Sequence, residues 1–285
     1  MKLKYTVIDN NYKTVKEVLK AYFNISDRLL VKLKKHNKIN LNKTLAIGDI
    51  VEVNMDFEED NSNIVPTKMD LDIIYEDDSY IIINKPAGIP VHPSMDHYED
   101  SLSNGLKYYF DNINLKKKIR PVNRIDKNTS GLVIFAKNEY IQECLIRQMK
   151  HSNFHKEYIA ICEGKLNGTS GTINKPIARK ENSIIERCVD INGDTAITHY
   201  EVLKYNTEKD YTVLKCVLET GRTHQIRVHL SYIGHPLLGD TLYGNESKLI
   251  SRQALHSYKI NFVHPIEKIP VSYVAPLPND LNSLI

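Results

Sequence analysis

The sequence predicts an α+β fold, a largely antiparallel mixed sheet with flanking helices, preceded by a small basic α/β domain. Three observations carry this reading. Apolar strand-like runs outnumber helix-like segments and do not alternate with them regularly, which disfavours a doubly wound parallel sheet. Residues 27–43 hold six basic groups (Arg28, Lys32, Lys34, Lys35, Lys38 and Lys43) against Asp27 alone, a local net of +5 in a chain of +3 overall. Between the two regions, Phe57 to Lys68 is polar, acidic and interrupted by Pro66, which suits a linker better than a strand or helix. The expected division is 1–60 for the small domain, 61–70 for the linker and 71–285 for the large domain. A chain of 285 residues, 41% hydrophobic and 26% charged, can bury a real core.

The elements follow in order. Thr14-Val15-Lys16-Glu17 is a capping box that can start a helix with Val15, Val18, Leu19 and Tyr22 on its apolar side, and Asn24 can end it. Ser26 then caps a second helix with Leu29, Leu30 and Leu33 inward and the lysines outward. Ile39 to Asn42 and Ile47 to Val53 read as short strands. The large domain opens with DIIYEDDSYIIINKP, a hairpin looping through Glu76 to Ser79. Helical spacing follows near Leu102 to Tyr109 and from Asn138, a cap, to Met149. Strands are expected at Tyr158 to Cys162, Tyr211 to Leu218 and Tyr258 to Phe262, and a helix from Thr223, its cap, to Gly234. In RPVNRIDKNTSGLVIFAK, Arg120 to Lys137, one acid, Asp126, sits in a basic, glycine-punctuated loop between a strand and the strand Leu132 to Phe135. An Asp in such a place commonly bonds the backbone two residues on.

Several classes have no support. No apolar run reaches the ~18 residues of a membrane span, and MKLKYTVIDNNYK lacks the apolar centre of a secretion signal. A cytoplasmic protein without a membrane partner is expected. Cys144, Cys162, Cys188 and Cys216 are far apart, each in an apolar context, and read as buried free thiols. His224 and His229 are five residues apart, the wrong spacing for two ligands on one helical face, so no metal is expected. His92 and His235, each beside a proline, read as turn or packing residues. Neither G-x-x-x-x-G-K-[ST] nor G-x-G-x-x-G occurs, which leaves nucleotide hydrolysis and dinucleotide binding unsupported.

NKPAGIPVHPS (Asn84 to Ser94), RIDKNTSGLVIFAK, KEYIAICEG (Lys156 to Gly164), GRTHQIRVHLSYIGHPLLGDTLYG (Gly221 to Gly244) and ALHSYKI (Ala254 to Ile260) occur in that order. Together, over roughly residues 70 to 280, they resemble the RluA type of pseudouridine synthase, which isomerises uridine to pseudouridine in ribosomal and transfer RNA. The chain departs from the family at Asn123, where His is usual. Over about residues 12 to 54 the helix, helix, basic loop, strand order resembles a small RNA-binding module, the S-four domain. Lys32, Lys34, Lys35 and Lys38 on its rigid helix would neutralise phosphates without reading bases.

The resemblance implies a pseudouridine synthase-like α+β architecture with the site in a cleft across the sheet, Asp126 as the catalytic carboxylate and Arg227 set against it. It also implies Tyr158 stacked on the flipped base, with a share in proton transfer, and Arg124 filling the gap that the base leaves. Leu255 would wall the uracil pocket. Arg222 would meet phosphate, and His224 and Gln225 complete the RNA-binding set. On a helix beginning at Thr223, His224, Arg227 and Ser231 would share a face. The reaction breaks a glycosidic bond, turns the base and rejoins it through carbon five, without net redox change or hydrolysis, so no cofactor or metal is expected. Attack at the sugar, addition to the ring and proton abstraction from the ribose all remain open for the carboxylate. The expected partner is structured RNA, ribosomal RNA ahead of transfer RNA, and a monomer is the default state. Two other readings stand beside this one: a non-catalytic RNA-binding or ribosome-assembly protein on the same fold, and a base-releasing glycosidase, for which only one strong acid is visible where two are usual.

Overall fold

The computed structural model describes residues 1–151 and 153–285. Among them, nine strands form one sheet whose spatial order explains the apolar runs in the sequence. The order is β3 (Ile73–Glu76), β4 (Tyr80–Lys85), β5 (Ser130–Ala136), β12 (Leu255–Val263), β6 (His155–Glu163), β11 (Tyr211–Leu218), β10 (Ile197–Asn206) and β7 (Ser170–Asn174), with β13 (Pro270–Val274) pairing the second half of β12. The short strands β8 (Ile177–Arg179) and β9 (Arg187–Val189) pair with each other apart from this sheet, and every pairing is antiparallel except β5 with β12, so the α+β expectation holds.

Alternate residues of the central strands enter different cores, as a two-residue side-chain period requires. Tyr80, Ile82, Leu132 and Ile134 pack with Tyr140, Ile141 and Leu145 of α4 (Glu139–Lys150). Ile81, Ile83, Val133 and Phe135 pack on the other side with Leu102, Leu106 and Phe110 of α3 (Leu102–Asn112). Further along the sheet, Tyr158, Ala160, Cys162 and Cys216 meet Ile226 and Leu230 of α5 (Gln225–Tyr232). Ile159, Ile161 and Val213 meet Leu281 of α6 (Asn279–Asn282). Strands covered on both faces lose the polar alternation of a surface sheet, which is why YIII and GLVIFA are continuously apolar.

The N-terminal region contains a strand absent from the sequence reading. β1 (Lys2–Thr6) pairs antiparallel with β2 (Ile50–Asn54), both burying every second residue. Thr14 caps α1 (Val15–Glu17), which continues as a π-turn over Val18–Tyr22 and ends at Asn24 with φ 54°. The π-turn changes the helical phase, so Tyr22 is 54% exposed against Tyr5, Tyr12 and Phe23 rather than buried beside Val15. Ser26 caps α2 (Asp27–Asn37) and buries Leu29, Leu30 and Leu33, as expected. Ile39 to Asn42 is a turn, not a strand.

The small module rests on the large one. Ser26 bonds Glu143, and Lys32 pairs with Glu139, both acids being on α4. The segment after β2 has no regular structure but is strapped down. Glu59 takes both terminal nitrogens of Arg120, Asp56 pairs with Lys117 at 2.8 Å, and Asn104 Nδ2 donates to the Val65 carbonyl at 2.8 Å.

The β5–β12 seam is tight. Only Ser130 and Gly131 pair there, with His256 and Ser257. Gly131 has φ +110°, and a Cβ on it would lie 2.3 Å from the Ser257 carbonyl oxygen. Gly131→Ala should therefore cost about 3 kcal/mol or more in urea unfolding, from backbone strain plus a clash with main chain that cannot move aside. Gly168→Ala, also at positive φ but with its nearest atom at 3.9 Å, should cost only about 1 kcal/mol. The same seam gives an acid limit. His256 is fully buried with Nδ1 against the Ser130 hydroxyl at 2.9 Å, and burial pulls its pKa down to about 4 from 6.5. Between those values an unfolded chain binds a proton that the folded chain refuses. Stability should fall as pH drops through that window, by up to about 3 kcal/mol from this residue, and denaturant titrations of His256→Asn should show a shallower fall.

Candidate active site

Asp126 lies in the loop that enters β5 beside the seam. The stretch before it forms only an isolated bridge, Pro121 with Phe135, instead of the expected strand. Asn123 supplies what a strand would have given. Its side-chain oxygen accepts from the Ile134 amide at 2.8 Å and its nitrogen donates to the Leu132 carbonyl at 3.1 Å, so this amide ties the loop to β5.

The turn itself is braced by two buried cations. The Asp126 carbonyl accepts from the Thr129 amide at 3.1 Å, closing a four-residue turn. Lys85 Nζ donates to the carbonyls of Lys127, Pro86 and Ile89, each at 2.8 Å. Burial pulls the Lys85 pKa down to about 7, with the Asp126 charge opposing that fall. Arg252 Nη1 donates to the Asn128 carbonyl at 3.1 Å, and Asp280 holds the rest of that guanidinium at 2.7 and 3.0 Å.

Above the turn, one arginine joins two carboxylates. Arg227 Nη1 donates to Asp126 Oδ2 at 3.0 Å, while Nε and Nη2 grip Asp240 at 2.7 and 2.8 Å. Asp240 is 1% exposed and also accepts from the Leu242 amide at 3.2 Å, which folds its own loop around it. Burial works against the Arg227 charge, but the Asp240 hydrogen bonds and both carboxylates outweigh it and raise the pKa above the usual arginine value. Asp126 thus faces a cation that stays charged at any working pH.

The start of α5 differs from expectation. Thr223 does not cap it. His224 stands at the N-cap in the left-handed conformation, φ 57°, a region His enters more readily than most side chains. This turn swings its ring off the helical face and brings Nε2 to 3.8 Å from Asp126 Oδ1. Ser231 points elsewhere, donating to the Tyr243 carbonyl at 2.8 Å. The Tyr243 hydroxyl accepts from the Arg187 amide at 2.8 Å and lies 2.8 Å from His224 Nδ1. This contact holds the ring by Nδ1 and leaves Nε2 as the nitrogen facing Asp126. Burial lowers the His224 pKa and Arg227 adds to the fall, Asp126 opposing, so the neutral ring is favoured.

Arg124, Asp126, Tyr158, Arg222, His224, Gln225, Arg227 and Leu255 all line one small pocket. It opens into a cleft of about 870 Å³ that shares Arg124, Asp126, Tyr158, Arg222 and His224. Arg124 is exposed at the mouth, two residues from the acid. Tyr158 is buried on β6. Burial, helped by the Asp126 charge and opposed by Ser257, pushes its pKa up to about 12, so its hydroxyl is protonated at neutral pH.

Two residues fail as free RNA contacts. Gln225 spends its whole amide inside: Nε2 donates to the Ile197 carbonyl and Thr198 Oγ1, and Oε1 accepts from Thr220 Oγ1 and the Arg222 amide. It fastens α5 to β10 instead. Lys32 is neutralised by Glu139, whereas Lys34, Lys35 and Lys38 are exposed. Arg222 is exposed but leans on the Thr195 carbonyl at 2.9 Å. Cys188 is half-buried, unlike the other three cysteines. Asp240, Tyr243, Lys85 and Arg252 were not singled out from sequence. Three of them stand in the quoted motifs, but their partners are brought by folding. Among the described residues no group of three His, Cys, Asp or Glu side chains is arranged for a metal, and no helix is long and apolar enough to cross a membrane.

Several known proteins are similar to this chain. The family model for RNA pseudouridylate synthase matches residues 79–232. An uncharacterised RNA pseudouridine synthase, YhcT of Bacillus subtilis, is 39% identical over 273 residues, covering 94% of this chain and 90% of its own length. Ribosomal large subunit pseudouridine synthase D of Neisseria meningitidis serogroup B is 38% identical over 251 residues, covering 84% of this chain and 66% of that protein. Of solved structures, human RNA pseudouridylate synthase domain containing 1 superposes with a TM-score of 0.61 at 26% identity, over 73% of this chain and 84% of that one. A fold, a motif order and a match over more than half the length together make this chain a member of the RNA pseudouridylate synthase family, of the RluA type, whose members are isomerases acting on RNA.

Proposed function

We propose that the protein converts one or a few uridines of large-subunit ribosomal RNA to pseudouridine, with Asp126 as the catalytic carboxylate. The observation that carries this is a half-open Asp126 fixed against a permanently charged Arg227 inside a pocket lined by Tyr158 and Leu255. Arg227 keeps the acid aimed, and Asp240 keeps Arg227 from following a moving carboxylate. The flipped uracil stacks on Tyr158 while Arg124, free at the mouth, occupies the vacated place in the RNA. Leu255 walls the base, and Arg222 reaches a phosphate at the rim. After carbon five has joined the sugar, its hydrogen leaves and nitrogen one gains a proton, so the reaction balances without a cofactor. His224 Nε2, 3.8 Å from Oδ1, borders the other side of the carboxylate.

Residues 1–60 act in this reading as a docking module resembling the S-four domain, and the monomer is the working unit. Lys34, Lys35 and Lys38 present charge to phosphates. Two relatives support the target class, since synthase D of Neisseria meningitidis and of Xylella fastidiosa are named for the large ribosomal subunit.

Pseudouridine mapping across total RNA, with a label that blocks reverse transcription, should lose one or a few large-subunit positions when the gene is deleted. Wild-type protein should restore them and Asp126→Asn should not. No lost site would remove the isomerase assignment for cellular RNA. In single-turnover assays Asp126→Asn should fall at least ~10³-fold while RNA affinity stays within a few-fold. Asp240→Asn, which removes the charge on the far side of the Arg227 fork and also touches the Leu242 amide bond of its loop, should slow the same step by about 10- to 100-fold. For the docking module, joint replacement of Lys34, Lys35 and Lys38 by Gln should weaken binding to structured RNA. It should also flatten the plot of log K against log salt by about 2, with Lys32→Gln having less effect because Glu139 already holds its charge.

A further inference from the structure

Lys85 and Lys156 are both buried lysines of the large sheet, and their surroundings are opposite. Lys85 has three carbonyl partners at 2.8 Å. Lys156, on β6, is 8% exposed, and among the described residues no hydrogen bond or ion pair reaches its Nζ. Burial alone displaces its pKa, downward. The main chain of Gly221 is close above it, so that a Cβ at 221 would lie 3.0 Å from Nζ. Phe154, Lys156 and Tyr158 line the large cleft together, as alternate residues of one stretch of chain should. Lys156 therefore lines the cleft beside Tyr158, with the buried Phe154 ring, stacked on Phe262, on its other side along the chain.

The Lys156 stem is buried while its unpartnered amine keeps a narrow contact with solvent in the cleft, so the charge is held mostly stripped of water at a place where an anion on a ligand can reach it. The nearby acids do not serve it. Asp126 is held by Arg227, and Glu219, also on the cleft wall, is 2.6 Å from His199 Nε2. A neutral uracil would leave the charge uncompensated. A phosphate would not, and Lys is suited to meet it as a point charge. Positions two apart on a strand are about 7 Å apart, so a nucleotide whose base lies on Tyr158 brings its own flanking phosphates to the level of Lys156.

We infer that Lys156 receives one specific backbone phosphate of the bound RNA, adjoining the uridine held at Asp126. This rests on the isomerase reading above, which supplies the RNA. Arg124 and the surface lysines meet RNA in water, whereas Lys156 makes one water-poor contact that fixes the register of the strand.

The test uses the full-length protein and a synthetic stem-loop containing the uridine mapped in cells, made with a neutral methylphosphonate at each linkage in turn. Wild-type protein should lose about tenfold in affinity at one linkage beside the uridine. Lys156→Met should bind the unmodified stem-loop about tenfold more weakly, mainly in KM, and should be indifferent to that same linkage. Without RNA, Lys156→Met should melt at a higher temperature than wild type, because an unpaired buried charge has been replaced by an apolar chain. Lys156→Arg, which keeps the charge, should retain sensitivity to that linkage. A scan with no linkage coupled to Lys156, or a Lys156→Met protein that melts lower and loses kcat at saturating RNA, would overturn the inference. If wild-type protein turns over no RNA, the isomerase reading fails instead, and the linkage scan still decides Lys156 by binding.

Discussion

A single guanidinium, that of Arg227, holds three separate stretches of chain to one another. It reaches the loop before β5 through Asp126, stands on α5, and grips the loop after that helix through Asp240. One positive charge between two carboxylates leaves the cluster with a net negative charge. Other basic groups stand behind the main chain of the turn. Arg252, and Lys85 to the extent that it is protonated, bind backbone carbonyls of the Asp126 turn, so their charge offsets the negative potential there without competing for the carboxylate itself. The position of Asp126 is thus over-determined from above and below, and its 25% side-chain exposure is left for substrate.

Much of this was legible in the sequence, for reasons that differ by element. The hairpin at Glu76 to Ser79, the caps at Ser26 and Asn138 and the apolar runs of β4 and β5 are local signals, and each gave its element directly. Asp126 and Arg227 were legible through motif order. What escaped was whatever depends on a distant partner. β1 exists because β2 lies beside it, and the π-turn after α1 because packing against that sheet outweighs the regular helical phase. His224 looked like a helical residue and is left-handed, since Gln225 must turn inward to meet β10. Gln225 itself illustrates the limit: a polar residue in a functional motif reads as a contact until its four hydrogen bonds are seen to be internal.

The contrast between Lys85 and Lys156 makes the same point in energetic terms. Sequence gives both as lysines in family motifs, and burial makes both costly. Three carbonyls turn the first into scaffold, and their absence leaves the second with an unfilled requirement. Likewise Lys32 and Lys34 are two residues apart on α2, yet one is fastened to Glu139 and the other faces solvent. Charge counted along a chain is therefore not charge available at its surface.

The brace from Asp280 through Arg252 to the Asn128 carbonyl has a consequence for how the protein is made. Asp280 follows every strand of the sheet in the order of synthesis, whereas the turn it steadies is translated before half of those strands exist. During translation the Asp126 loop therefore emerges early and waits, unsupported on one side, until the far end of the chain folds back against it. A chain still being threaded out of the ribosome would carry the chemical groups of the site without their final rigidity. For an enzyme that acts on RNA, competence then arrives with the completed fold and not with the emergence of the individual groups of the site.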